Sequence, residues 1–159
     1  MRPLAGGVSL PDAAKAARRK NARGKAMIDH ISVAVNDIAK SAAFYEAVLA
    51  PLGMHKIVDR GASVGFGTRY PELWLNLREG LQPQPETTGI HIALRAKTEV
   101  AVNAFHAAAL AHGGRCAGPP GPRLAALTTY HGAFIFDPDG NKIEALTFPP
   151  AAPGGAASG

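Results

Sequence analysis

Ile28-Asp29-His30-Ile31-Ser32-Val33-Ala34-Val35 has a second version 61 residues on, Gly89-Ile90-His91-Ile92-Ala93-Leu94-Arg95-Ala96, and this correspondence decides the fold. Carried forward without gaps, the same offset superposes Ala43-Phe44 on Ala104-Phe105 and Ala47 on Ala108. It then brings Leu49-Ala50 onto Leu110-Ala111 and Gly53 onto Gly114. Self-similarity at one fixed period means a single supersecondary unit written twice. Each version opens on an alternating stretch, a half-buried strand. A helix follows. In the first, Asn36 or Asp37 offers an N-cap oxygen, Ile38, Tyr45, Val48, Leu49 and Leu52 approximate one face, and Gly53 ends it. In the second, Thr98 caps, Val102, Phe105 and Ala109 face inward, and Gly113-Gly114 ends it.

Short strands come next, at about 54–59, 62–68 and 72–78 in the first copy. Those of the second fall at about 115–118, 130–136 and 141–148. The last two are joined by Asp137-Pro138-Asp139-Gly140, with Pro and Gly where a type I turn wants them. The unit is βαβββ, and the fold class is α+β, built from two βαβββ modules. Gly118 to Thr129, holding Pro119, Pro120 and Pro122, reads as a loop long enough to cover a cavity.

The repeat occupies only part of the 159 residues. Residues 1–26 are mostly Ala, Gly, Arg and Lys, too poor in large apolar groups to offset the entropy of ordering. They read as a disordered basic tail, with upstream sequence ahead of a start at Met27, or a targeting peptide, as alternatives. Residues 149–159 are a second tail, leaving 27–148 as the folded domain. The net charge of +5 divides along these lines. Residues 1–26 hold seven basic and one acidic side chain, for +6; residues 27–159 hold ten and eleven, for −1. A nucleic-acid role through the folded domain is thereby excluded, because the basicity belongs to the tail. Cys116 is alone and cannot form an intrachain disulfide. No stretch approaches the roughly 18 apolar residues of a membrane span. A cytoplasmic location is the expectation.

Four phrases in order resemble the vicinal oxygen chelate superfamily, which includes glyoxalase I, bleomycin-resistance proteins, fosfomycin thiol transferases and extradiol dioxygenases. They are Ile28-Asp29-His30-Ile31-Ser32-Val33, Ser41-Ala42-Ala43-Phe44-Tyr45, Gly89-Ile90-His91-Ile92-Ala93, and Phe136-Asp137-Pro138-Asp139-Gly140-Asn141-Lys142-Ile143-Glu144. The resemblance implies two modules whose sheets curl around a metal-containing cavity, a small-molecule substrate, and a homodimer. It also implies a ligand set, with His30 and His91 on the first strands and Glu144 on the last. Two imidazoles and a carboxylate suit Zn, Ni, Mn or Fe as a divalent ion with positions left open. In the dimer, His30 would face His91 and Glu144 of the partner.

Aligning Leu77 with Leu146 puts Leu75 opposite Glu144, where glyoxalase I-like enzymes carry a further carboxylate. Phe134 stands where fosfomycin thiol transferases use a tyrosine. Tyr130 and His131 could hold a proton-transfer group near the metal, joining Glu144 as candidate catalytic residues. Ser32, Trp74, Phe134 and Arg123 are candidates for the substrate pocket, Arg123 for an anionic group. The function implied is a metal-dependent enzyme on a small oxygen-rich molecule, closest to glyoxalase-like lyase or isomerase chemistry. Alternatives are an extradiol dioxygenase with His131 as base, a fosfomycin-type thiol transferase, and a non-catalytic bleomycin-resistance-like binding protein.

Overall fold

In a computed structural model, which describes residues 28–82, 85–125 and 128–149, the repeat is two four-stranded sheets, each with one long helix. The first module runs β1 (Ile31–Val35), α1 (Ile38–Leu49), a 3-10 turn Ala50–Leu52, β2 (His55–Asp59), β3 (Ser63–Gly67) and β4 (Leu73–Leu77). A 3-10 turn, Glu86–Thr88, leads to the second: β5 (Ile92–Arg95), α2 (Glu99–Ala111), β6 (Arg115–Leu124), β7 (Thr129–Phe136) and β8 (Lys142–Thr147). The strand orders are β1-β4-β3-β2 and β5-β8-β7-β6, the same topology twice. In each, the first strand pairs parallel with the last, and the other pairings are antiparallel.

The helix boundaries follow from capping. The Asp37 carboxylate accepts from the Lys40 N–H at 3.0 Å, and the Thr98 hydroxyl from Ala101 N–H at 3.1 Å. Gly53 ends the first helical segment at φ +79°, a left-handed conformation glycine adopts without a Cβ clash. The buried stripes are Phe44, Tyr45, Val48 and Leu49 on α1, and Val102, Phe105 and Ala109 on α2. They meet Val33, Val35, Leu73 and Leu75 of one sheet and Ala133, Ile135, Ile143 and Ala145 of the other. Each fully buried aromatic or branched side chain contributes about 1.5–3 kcal/mol of transfer free energy. One continuous core thus covers the helix side of both sheets and leaves their other faces open.

The Asp137-Pro138-Asp139-Gly140 turn does more than reverse the chain. Asp137 Oδ1 accepts from the N–H groups of Asp139 and Asn141, as its turn position requires. Its Oδ2 reaches into the first module, where the Tyr45 hydroxyl donates to it at 2.8 Å. Ser41 Oγ donates to Asp139 Oδ2, Asn36 N–H to Asp139 Oδ1, and Asn141 Nδ2 to the Ala34 carbonyl. The turn therefore joins the two modules. Burial raises the pKa of Asp137, against the hydrogen bonds of Asn141 and Tyr45. Tyr45 is pushed well up by burial and then by the Asp137 charge, so its hydroxyl stays a donor at neutral pH.

The stretch expected as a loop from Gly118 to Thr129 is instead strand as far as Leu124. The correction has a clear cause. β6 is an edge strand, so the missing N–H groups of Pro119, Pro120 and Pro122 need not cost ladder bonds. Its register shifts between Cys116 and Gly118 and again between Gly118 and Gly121, absorbing the prolines.

Candidate metal and substrate site

Alternation places Ile143 and Ala145 in the core and turns Glu144 to the open face of the second sheet. His91, just before β5, reaches the same spot across the parallel seam. Its Nε2 lies 3.3 Å from Glu144 Oε2, and its Nδ1 lies 2.9 Å from the Gly89 carbonyl. The backbone bond fixes the ring so that Nε2 is the nitrogen presented. His91 remains exposed, whereas the Glu144 side chain is only 4% exposed. Glu144 Oε1 is buried without a hydrogen-bond partner among the described residues.

Around this pair stand Tyr130, Phe134, Lys142 and Arg123. Phe134 is Glu144's cross-strand partner and packs edge-on against His91, ring centroids 5.6 Å apart. Lys142 Nζ lies 5.0 Å and Arg123 Cζ 5.6 Å from the Phe134 centroid. Neither cation forms an ion pair with a described residue. Arg123 donates from Nη2 to the Pro119 carbonyl at 2.7 Å, and its Nε is buried without a partner among the described residues. The Tyr130 hydroxyl is raised in pKa, first by burial and then by Glu144 as hydrogen-bond acceptor and as charge, with Arg123 opposing. It is a donor beside an acceptor-rich group.

Gly132 makes this crowding possible. A Cβ there would come 2.7 Å from Tyr130 Cε2 and 3.2 Å from Glu144 Oε1.

His131 is not part of the cluster. One residue from Tyr130 on a strand, it points to the opposite face, with Nε2 3.0 Å from Asn103 Oδ1 and Nδ1 3.9 Å from Glu99 Oε2 on α2. The expectation of a proton-transfer group there is corrected by strand alternation.

His30 stands apart too. It lies ahead of β1, half-exposed, with Nδ1 2.9 Å from Asp29 Oδ2. It lines the open face of the first sheet with Ser32 and Trp74. Among the described residues no three His, Cys, Asp or Glu side chains of one chain converge as a metal set. His91 and Glu144 are brought together; His30 is not brought to them within the chain.

The register also corrects one alignment. β1 pairs Ser32 with Trp74, and β5 pairs Ala93 with Glu144. Ser32 and Ala93 correspond through the 61-residue offset, so the counterpart of Glu144 is Trp74. Leu75 is fully buried against the helix side. Strand alternation from Glu144 could have signalled Lys142, and from Trp74 could have signalled Asn76.

The family model of the Glyoxalase/Bleomycin resistance protein/Dioxygenase superfamily matches residues 27–145. The chain belongs to this superfamily. Among solved structures, a glyoxalase/bleomycin resistance protein from Albidiferax ferrireducens T118 is 34% identical, with TM-score 0.68, covering 76% of this chain and 98% of its own. Two more distant superfamily structures share the fold. A glyoxalase/bleomycin resistance protein/dioxygenase family enzyme from Burkholderia phytofirmans PsJN is 17% identical, TM-score 0.57, over 77% of this chain and 98% of its own. The genomically encoded fosfomycin resistance protein FosX from Listeria monocytogenes is 19% identical, TM-score 0.56, over 76% of this chain and 92% of its own. No curated protein matches the chain. Among the described residues of this superfamily member, no helix is long and apolar enough to cross a membrane.

Proposed function

We propose that this chain is a metal-dependent enzyme acting on a small oxygen-rich molecule, with lyase or isomerase chemistry of the glyoxalase kind. The observation that carries the reading is Glu144 Oε1, a buried carboxylate oxygen with no close hydrogen bond to a described residue, set between the Tyr130 hydroxyl and an exposed imidazole. Leaving such a group unsatisfied costs about 1–3 kcal/mol or more, a cost that a coordinated cation removes. A purely apolar binding cleft would have no use for that carboxylate. His91 and Glu144 would hold a divalent ion, with His30 supplied by a second copy of the chain in a homodimer. The ion would act as a Lewis acid on a substrate oxygen.

The chain's own groups have separate tasks. Gly89 orients His91, Tyr130 offers a hydroxyl donor, and Phe134 supplies an apolar wall. Arg123 and Lys142 set a positive field at its edge. A ring-cleaving dioxygenase is less well supported, because His131, its candidate base, is engaged with α2.

The test is subunit complementation. His30→Ala and Glu144→Gln chains should each lose stoichiometric Mn²⁺ or Zn²⁺ binding. Mixed and refolded together, they should recover one metal per heterodimer, since one of its two sites then has every ligand intact. Absence of binding by the unaltered dimer sinks the metal reading. Binding by the unaltered dimer without recovery in the mixture sinks the shared site.

A further inference from the structure

The open face of the first sheet carries a second set of uncommitted groups. Trp74 stands in register with Ser32 on β1, and Asn76 with Ser63 on β3. Together with His30 and Arg60 they line a cleft of about 220 Å³. The side chains of Ser32, Ser63 and Asn76 make no hydrogen bond to a described residue. Arg60 has no carboxylate partner among them either; its Cζ sits 5.2 Å from the centre of the Trp74 ring.

The indole is held in place from below. Gly65, on the adjoining strand, lacks a side chain under it, and a Cβ there would come 3.2 Å from Trp74 Cη2 and 2.8 Å from Pro71 Cβ. The ring can therefore lie close to the sheet and present a face to Arg60. A guanidinium positioned by an aromatic face keeps its fork of donors free for an incoming anion, and a planar carboxylate matches that fork. Beside it are two hydroxyls and an amide, which pair with hydroxyl groups as donors or acceptors. The cleft holds roughly seven liquid-water volumes, room for a hydroxy acid of three or four carbons together with a few waters.

We infer that this cleft binds a small hydroxylated carboxylate, with the carboxylate on Arg60 and hydroxyls on Ser32, Ser63 and Asn76. The inference rests on the proposed function only in setting the ligand's oxygens next to His30; binding itself requires no metal.

Trp74 is the single tryptophan of the chain, so intrinsic fluorescence reports this cleft directly. The full-length protein, kept in EDTA, is titrated with D-glycerate, L-tartrate, glycerol and inorganic phosphate. A saturable change is expected with at least one hydroxy acid, no response to glycerol, and at least tenfold weaker binding of phosphate. Arg60→Ala should weaken the hydroxy acid at least tenfold, Arg60→Lys should recover part of that, and Ser63→Ala should cost severalfold. No response to either acid, equal response to glycerol or phosphate, or unchanged affinity in Arg60→Ala overturns the inference. Hydroxy-acid binding by a dimer that takes no metal would sink the metal reading alone. Metal binding without any hydroxy-acid response would sink this one alone.

Discussion

His91 Nε2 lies 3.3 Å from Glu144 Oε2, and the carboxylate's other oxygen, Oε1, is buried and makes no close hydrogen bond to a described residue. The pair sits at the parallel seam of β5 and β8, and on the proposed reading it supplies two of three metal ligands. Binding of a metal ion at this pair would stabilise the folded chain by mass action. At a hundredfold excess over Kd that linkage is worth about 2.7 kcal/mol. Mn²⁺ or Zn²⁺ should raise the melting temperature of the unaltered protein by roughly 5–10 °C. Glu144→Gln should melt at the same temperature with or without metal.

Gly132→Ala tests how closely Tyr130 is seated over that carboxylate. The added methyl group must displace the Tyr130 ring, whose Cε2 would be 2.7 Å away, and crowd Glu144 Oε1. Overpacking of this kind costs about 1–3 kcal/mol. Denaturant unfolding should show that loss, and metal affinity should fall at least tenfold. Unchanged affinity would show that Tyr130 and Glu144 do not depend on each other.

Tyr45→Phe removes one of the donors that join the modules and leaves Asp137 Oδ2 with the Asn141 amide as its donor among the described residues. A loss of about 1–3 kcal/mol is expected at neutral pH, because one partner of a buried bond is deleted. The pH dependence has a definite sign. Tyr45 has a folded pKa above its ordinary 10.0, so its contribution is complete below pH 10 and disappears as pH rises through the folded value. The stability difference between the two proteins should therefore hold from pH 6 to 9 and shrink above 10. Asp137, also raised from 3.8, contributes most below 3.8 and loses that contribution as pH rises through its folded value.

His106 is buried on α2, with Nε2 3.2 Å from Cys116 Sγ, and burial lowers its pKa from 6.5. A lowered folded pKa contributes stability above pH 6.5 that is lost as pH falls through the folded value. Chemical unfolding followed from pH 7.5 to 5 should show a declining stability, and His106→Gln should flatten the decline. An equal slope in both proteins would place the acid sensitivity elsewhere.

The basic arm should be separable from the site. Deleting residues 1–26 removes a charge of +6 and leaves residues 27–159 at −1. Heparin retention should vanish at 150 mM salt, while metal-induced stabilisation is unchanged. Loss of both would move the domain boundary upstream of Met27.

The 61-residue correspondence, read with strand alternation and helix caps, was enough to lay out two βαβββ modules. Those features are local: they depend on spacing, on Asp37 and Thr98 as caps, and on which residues are apolar. Sequence reading failed where the outcome depends on a neighbour. The prolines of β6 looked like a loop because their tolerance rests on the strand being at a sheet edge. Trp74, and not Leu75, became the counterpart of Glu144 because a strand pairing fixes register to one residue, and one residue exchanges the faces. Asp137 and Asp139 could be read as turn residues, but their bonds to Tyr45 and Ser41 span more than 90 positions. Spacing and residue type sufficed for the doubling, for most of the elements, and for the groups offered for chemistry. Which of those side chains meet is set by sheet register and module docking, and neither is a property of any one stretch of chain.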